Sequence, residues 1–156
     1  MISLIFFIIL LAAAVGCLWQ ISVADFRRRI IPDAYLFPLF IIGLMVVSWF
    51  PWICGPRVAA VGAAFGYGLA AIVGFAFDYA MRKKNADAQS PIGMGDIKLL
   101  GVGGWWLGPT GLSIALVLAC IFGIAWGRWR NQKYIPFAPF FAISGILSLI
   151  AMAFLL

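Results

Sequence analysis

Residues 97–127 read IKLLGVGGWWLGPTGLSIALVLACIFGIAWG. This apolar run of about 30 residues is half as long again as the roughly 20 that cross a hydrocarbon core. It is either one overlong helix or two short ones turned at LGPTG (107–111), where glycine and proline supply a turn signal. Flanking charge decides between them. Arg27, Arg28 and Arg29 follow the first apolar run of the chain, Arg82, Lys83 and Lys84 follow the third, and Arg128, Arg130 and Lys133 precede the last. The positive-inside rule assigns all three clusters to the cytoplasmic face. Only an even number of crossings between Lys84 and Arg128 allows that, so LGPTG reads as an outer turn.

The remaining runs agree. Met1–Ala24, Ala34–Trp52, Val58–Met81 and Phe137–Leu156 are each apolar and of spanning length. No lysine or arginine precedes the first run, as the charged start of a signal peptide would require, so it reads as a span with its amino terminus outside. The expectation is an all-α membrane protein: one domain over residues 1–156, a polytopic bundle of six transmembrane helices with both termini outside. Ten of the eleven basic residues then lie inside, Arg57 being the exception. Topology accounts for the net charge of +6, and no nucleic-acid partner is needed.

Of the 156 residues, 65% are hydrophobic and 10% charged, and none is histidine. That absence excludes Ser-His-Asp and Cys-His catalysis and the usual histidine-ligated zinc. Cys17, Cys54 and Cys120 are far apart with no CxxC pair, so they read as free thiols, and no metal or cofactor is indicated. Proton transfer falls to the acids, which are all aspartates: Asp25, Asp33, Asp78, Asp87 and Asp96.

Asp25 closes the first span and Asp96 opens the fourth, both at cytoplasmic helix ends. With Trp105 in an outer aromatic belt, Asp96 lies nine residues away, or roughly 14 Å at 1.5 Å per residue, in a recess below the cytoplasmic surface. A carboxylate at that depth is costly and is a functional candidate. Two carboxylates brought together hold one proton between them and act as base and acid at once. The structural alternative is that each caps a helix or pairs with a base, and Asp96 stands where a cap would. Gly93 and Gly95 permit positive φ and close approach, so an extended substrate strand has room against GMGD (93–96).

The other acids have simpler readings. Asp78 precedes Arg82 by a helical ion-pair spacing. Asp87 lies in the polar loop RKKNADAQSP (82–91), the one polar linker of the chain, which is long enough to reach across the cytoplasmic mouth. Asp33 follows Pro32 and can cap the second span, yet it is near enough to Asp25 to rival Asp96 as its partner. Lys98 does not share a helix face with Asp96; snorkelling or a salt bridge to another helix is its favoured role, with tuning of the two acids as the alternative. The small residues of GVGGWW (101–106) read as a helix-packing surface.

DFRRRIIPD (25–33), GMGDIK (93–98) and IPFAPF (135–140) together give the chain its resemblance to the type IV prepilin peptidases, a family of GxGD intramembrane aspartyl proteases. It is most similar to the short form that serves Tad/Flp-type pili. The resemblance implies a multi-pass enzyme of the bacterial inner membrane. It would remove the leader of prepilins or pseudopilins at the cytoplasmic face, with the pilus assembly machinery as a further partner. It implies Asp25 and Asp96 as the catalytic pair, and it puts Pro136 and Pro139 beside the active site, where with Gly93 and Gly95 they would meet substrate. Long members carry a cysteine tetrad and methylate the product; this sequence has no tetrad, so the resemblance does not extend to methyl transfer. Asp33 stands where the family often has asparagine. The alternative from another class is a small proton-coupled transporter or channel with membrane-embedded aspartates.

Overall fold

A computed structural model describes residues 2–50, 54–83, 92–131 and 135–155. Residues 84–91 of the polar loop, with Lys84 and Asp87, and also Lys133, lie outside the described residues. Those described form five helical elements: α1 (Ile2–Arg28), α2 (Asp33–Trp49), α3 (Pro56–Arg82), α4 (Met94–Arg130) and α5 (Phe137–Leu155). Four of them are long and apolar enough to cross a membrane, whereas α2, with 17 residues, is shorter. Large apolar side chains such as Ile72, Phe75 and Phe154 point outward from the bundle. In water such a surface would aggregate; in lipid it is the ordinary exterior.

The expected turn in residues 97–127 is present inside α4, whose 37 residues are two helices joined across a kink at Gly108, at φ 66° and ψ 177°. That conformation is open to glycine and costly for any side chain. Pro109, next in the chain, begins a new first turn in which its missing N–H is no loss. The two arms of α4 fold against each other here. A Cβ on Gly66 would meet both the Leu100 carbonyl and, at 2.7 Å, the Leu112 side chain. One on Gly103 would stand 3.8 Å from Leu112. Trp105 and Trp106, read from sequence as an outer belt, are half-buried, and Trp106 Nε1 donates to the Leu39 carbonyl of α2 at 3.2 Å.

The tightest packing lies between α3 and α4. On α3 the buried positions are Ala59, Gly62, Gly66, Ala70 and Gly74, a stripe of small residues at helical spacing. It faces Gly104 and Gly108 of α4 so closely that a Cβ on Gly62 would run into the Gly104 carbonyl and approach Gly108 Cα to 2.7 Å. The packing surface expected of GVGGWW is therefore present. Without a hydrophobic drive between helices in lipid, this backbone-to-backbone approach is what holds them together. Helix α1 pairs with α2, its Phe6 and Phe7 meeting Trp49 and Phe50, and α5 lies against α4 and α1.

Gly62→Ala is expected to lower the thermal midpoint of the detergent-solubilised protein further than Gly108→Ala. At Gly62 the obstruction is backbone, whereas at Gly108 a strain of roughly 1–3 kcal/mol combines with a movable Val58 side chain. Gly68→Ala, which meets nothing within 4 Å, should leave the midpoint unchanged or raise it. Equal midpoints for all three variants would contradict the tight α3–α4 contact.

Candidate active site

Asp25 lies one turn before the end of α1. The chain leaves that helix through Arg29, whose φ of 56° is left-handed and whose N–H bonds back to the Asp25 carbonyl at 2.9 Å. The Asp25 side chain is only 5% exposed, and its Oδ2 accepts the Ala138 N–H at 2.8 Å. The Phe137 N–H also faces this carboxylate. Both are first-turn amides of α5, which no carbonyl of their own helix can satisfy. The sequence around them explains why only these two are presented. Pro136 directly precedes α5 and Pro139 is its third residue, and neither has an N–H to leave unpaired. IPFAPF thus leaves exactly the amides of Phe137 and Ala138 between two prolines, and Asp25 takes them from another helix. Pro136 is fully buried and Pro139 half-buried.

Asp96 is in the first turn of α4. Its carboxylate reaches back to the Gly93 N–H at 3.3 Å, so the capping role weighed from sequence is present. Gly93 has φ −73°, and the only positive-φ glycine among the described residues is Gly108. The left-handed freedom expected of Gly93 and Gly95 is therefore not used. What Gly95 provides is close approach: a Cβ there would stand 2.8 Å from Ile31 Cβ, in the connection between α1 and α2. Ile31 fills the space beside Gly95 that sequence reading left for a substrate, whereas Gly93 is exposed.

Asp25 and Asp96 are near enough for their charges to act on each other. The fold thus joins the two acids singled out from sequence, at the place where α1 ends and α4 and α5 begin. It does not bring Asp33 into that pair. Asp33 opens α2 and binds Lys98 of α4, Nζ to Oδ2 at 2.6 Å, the interhelical salt bridge expected of Lys98. Asp78 pairs with Arg82 at 2.8 Å, as its spacing foretold.

Three groups at this site escaped sequence reading: the amides of Phe137 and Ala138, and Ile31. The signal for the amides was present, since two prolines three apart at a helix start expose the N–H groups between them. Ile31 carried no signal, because an apolar residue in a short connection is ordinary.

Among the described residues the arrangement is a buried carboxylate held by helix-terminal amides, a second half-buried carboxylate held by one, and no histidine or thiol in reach of their chemistry. Paired acids of this kind activate water or exchange protons.

The sequence matches the family model described as the type IV leader peptidase family over residues 4–128, a span that contains Asp25 and Asp96 and stops short of Pro136. The chain is similar to the prepilin leader peptidase/N-methyltransferase of Burkholderia pseudomallei (strain 1026b), with 32% identity over 141 residues, covering 86% of this chain and 43% of that protein. It is 30% identical over 135 residues to the protein of that name in Escherichia coli (strain K12), covering 83% of this chain and 57% of the relative. Against the one in Aeromonas salmonicida (strain A449) the identity is 34% over 137 residues, covering 81% and 43%. The chain spans about half the length of the curated relatives it matches. No solved structure matches it. With its two aspartates inside the matched span, this chain belongs to the type IV leader peptidase family.

Proposed function

We propose that the protein is a membrane aspartyl endopeptidase that cleaves the leader from type IV prepilins or pseudopilins, of the Tad/Flp kind, at the cytoplasmic face of the bacterial inner membrane. The single observation that carries this reading is that Asp25 and Asp96, far apart in sequence, lie at one end of the bundle within reach of each other's charge. The relatives named above support the substrate class.

In the proposed mechanism the pair holds one proton. The ionised aspartate takes a proton from water as its oxygen attacks the scissile carbonyl, while the protonated partner hydrogen-bonds the carbonyl oxygen. The tetrahedral intermediate collapses with cleavage of the C–N bond. The leaving amine takes a proton from the pair, which is left with one proton, as it began. The amides of Phe137 and Ala138 hold the Asp25 carboxylate in place through this cycle, so that one lone-pair set is fixed and the other is free to act. Exposed Gly93 leaves room for an extended substrate segment beside Asp96, and Pro136 and Pro139 act on the site through the amides they frame. The four acids among the described residues, Asp25, Asp33, Asp78 and Asp96, all sit near the helix ends of one side of the bundle. A proton-coupled transporter would need them to continue through the membrane.

Asp25→Asn and Asp96→Asn should each abolish processing of a co-expressed prepilin precursor, read as loss of the mobility shift on a gel. Asparagine keeps an oxygen for the Ala138 or Gly93 amide, so both variants should remain folded in the membrane. Undiminished cleavage by either one removes the dyad. Asp25→Ala should in addition cost about 1 kcal/mol of stability, because the start of α5 loses its acceptor.

The same reading carries six crossings with both termini outside. The fold-back of α4 at Gly108 supports it, as does the gathering of Arg27, Arg28, Arg82, Arg128 and Arg130 at helix ends. In a background with Cys17, Cys54 and Cys120 replaced by serine, Thr110→Cys should react with a membrane-impermeant maleimide in intact spheroplasts. Arg130→Cys should react only after permeabilisation. The reverse pattern overturns the orientation, and labelling of both in intact spheroplasts overturns the count.

A further inference from the structure

Asp96 cannot take its place opposite Asp25 by its own contacts. Among the described residues its one side-chain hydrogen bond, accepted from the Gly93 amide at 3.3 Å, is local to the first turn of α4 and would survive any rotation of that helix. What sets the rotation has to come from another element. Gly95 and Lys98 are three residues apart and share one face of α4. That face meets the connection from α1 to α2 at two points: Gly95 against Ile31, and Lys98 Nζ on Asp33 Oδ2 at 2.6 Å. Ile31 and Asp33 are two residues apart, so their spacing along the chain matches that of Gly95 and Lys98 along the helix. Asp96 is the neighbour of Gly95 and turns about 100° from it, off the latched face. Asp25 stands at the other end of the same connection, tied to it by the Arg29 N–H to Asp25 carbonyl bond.

We infer that the Asp33–Lys98 ion pair is a positioning device for the Asp25–Asp96 dyad, acting with the Ile31–Gly95 contact to fix the rotation of α4 relative to the end of α1. One part of this latch is steric and the other ionic. The steric contact prevents Gly95 from moving closer to the connection, and the ion pair prevents Lys98 from moving away. Packing on α3 holds the body of α4; at its first turn a single contact would leave a pivot, and two contacts one helical turn apart do not. The pair also gives Asp33 a counter-charge, which keeps this third acid out of the dyad. Neither residue is assigned contact with substrate. Exposed ion pairs in water contribute little to stability, about 0–1 kcal/mol. This one, with its two side chains 44% and 66% exposed, is asked only to select a rotation and not to hold the fold together. A displacement of about 1 Å at a reacting pair is worth on the order of a hundred-fold in rate.

The inference rests on the proposed dyad, and its test separates the two. With the full chain in nanodiscs and a prepilin precursor as substrate, Lys98→Met and Asp33→Asn should each lower kcat by about ten- to a hundred-fold with KM nearly unchanged. The double variant should be no worse than the poorer single one, because both remove the same link. Lys98→Arg, and the exchange of the two charges in Asp33→Lys/Lys98→Asp, should recover most of the loss. Arg82→Met, which breaks the ion pair internal to α3, should leave kcat as it is.

The second measurement needs no catalysis. In a chain lacking the native cysteines, Ile31→Cys/Gly95→Cys places two thiols whose Cβ atoms need only a small relaxation to reach the disulfide separation of about 3.8 Å. Adding Lys98→Met should slow their oxidation several-fold, and Lys98→Arg should not. Unchanged kcat and unchanged cross-linking in Lys98→Met overturn the positioning role, as does a loss confined to KM or a charge exchange no better than the single variants. If Asp25→Asn stays active, the dyad reading falls, and the cross-linking rates alone still decide whether the pair sets the rotation of α4.

Discussion

The geometry of this bundle depends on one backbone position. Gly108, at φ 66° and ψ 177°, interrupts a 37-residue helix that would otherwise be about 55 Å long, far more than a bilayer core. Because the chain turns back there, both ends of α4 arrive beside the end of α1. Asp96, in its first turn, comes within reach of the charge of Asp25, while Trp126, near its last, packs on Phe26 of α1 and Phe140 of α5. No straight helix could touch neighbouring residues of α1 with both its ends. The glycines of α3 packed against this turn serve the same end, since Gly62 and Gly66 let the backbones of α3 and α4 come close enough to hold the fold-back in place.

With the helix ends gathered, the problem at that end is unpaired backbone. Each helix start exposes amides with no partner in their own helix, and below the membrane surface water does not freely supply one. Carboxylates are the strongest acceptors for them. Asp25 serves the start of α5, Asp96 serves the start of α4, and Asp33 opens α2 while holding Lys98. Capping and catalysis therefore do not compete as explanations of Asp25 and Asp96. The cap is the reason a carboxylate can be kept there with one fixed orientation, and the proposed chemistry would use the same two carboxylates.

Much of this was legible in the sequence, and the reasons for the rest are physical. The apolar runs mark the helices because lipid demands an apolar exterior whatever the packing inside. The acids stood out because a carboxylate in such a chain has few places to be. Intra-helix relations were also readable: Asp78 and Arg82 met as their spacing foretold, and Asp96 caps α4. Contacts between elements were not readable. Gly95 looked like conformational freedom, yet its backbone is ordinary and the missing Cβ makes room for Ile31. A glycine in sequence does not say which of its two properties is in use, since the answer lies in a residue more than sixty positions away. The prolines of IPFAPF pointed to the candidate site by resemblance alone, whereas their physical role, presenting two amides to Asp25, required knowing which helix end lies opposite. The turn at LGPTG was legible as a turn, but the number of crossings is a statement about the membrane and does not follow from helix bounds alone.

A dyad needs its two carboxylates close, and closeness of like charges is resisted by everything except a shared proton and nearby donors. In the middle of a span the donors are absent, because every amide there is bonded within its own helix. In open water the donors are plentiful, but the carboxylates would separate. Only the depth at which helices begin offers free amides in a setting that still excludes most solvent. Asp25, Asp96 and the amides of Phe137, Ala138 and Gly93 all lie at that depth, contributed by the end of one helix and the beginnings of two others. An antiparallel bundle supplies such a meeting point only where a helix end and two helix starts fall on the same side. The reversal of α4 at Gly108 is what allows α5 to begin there.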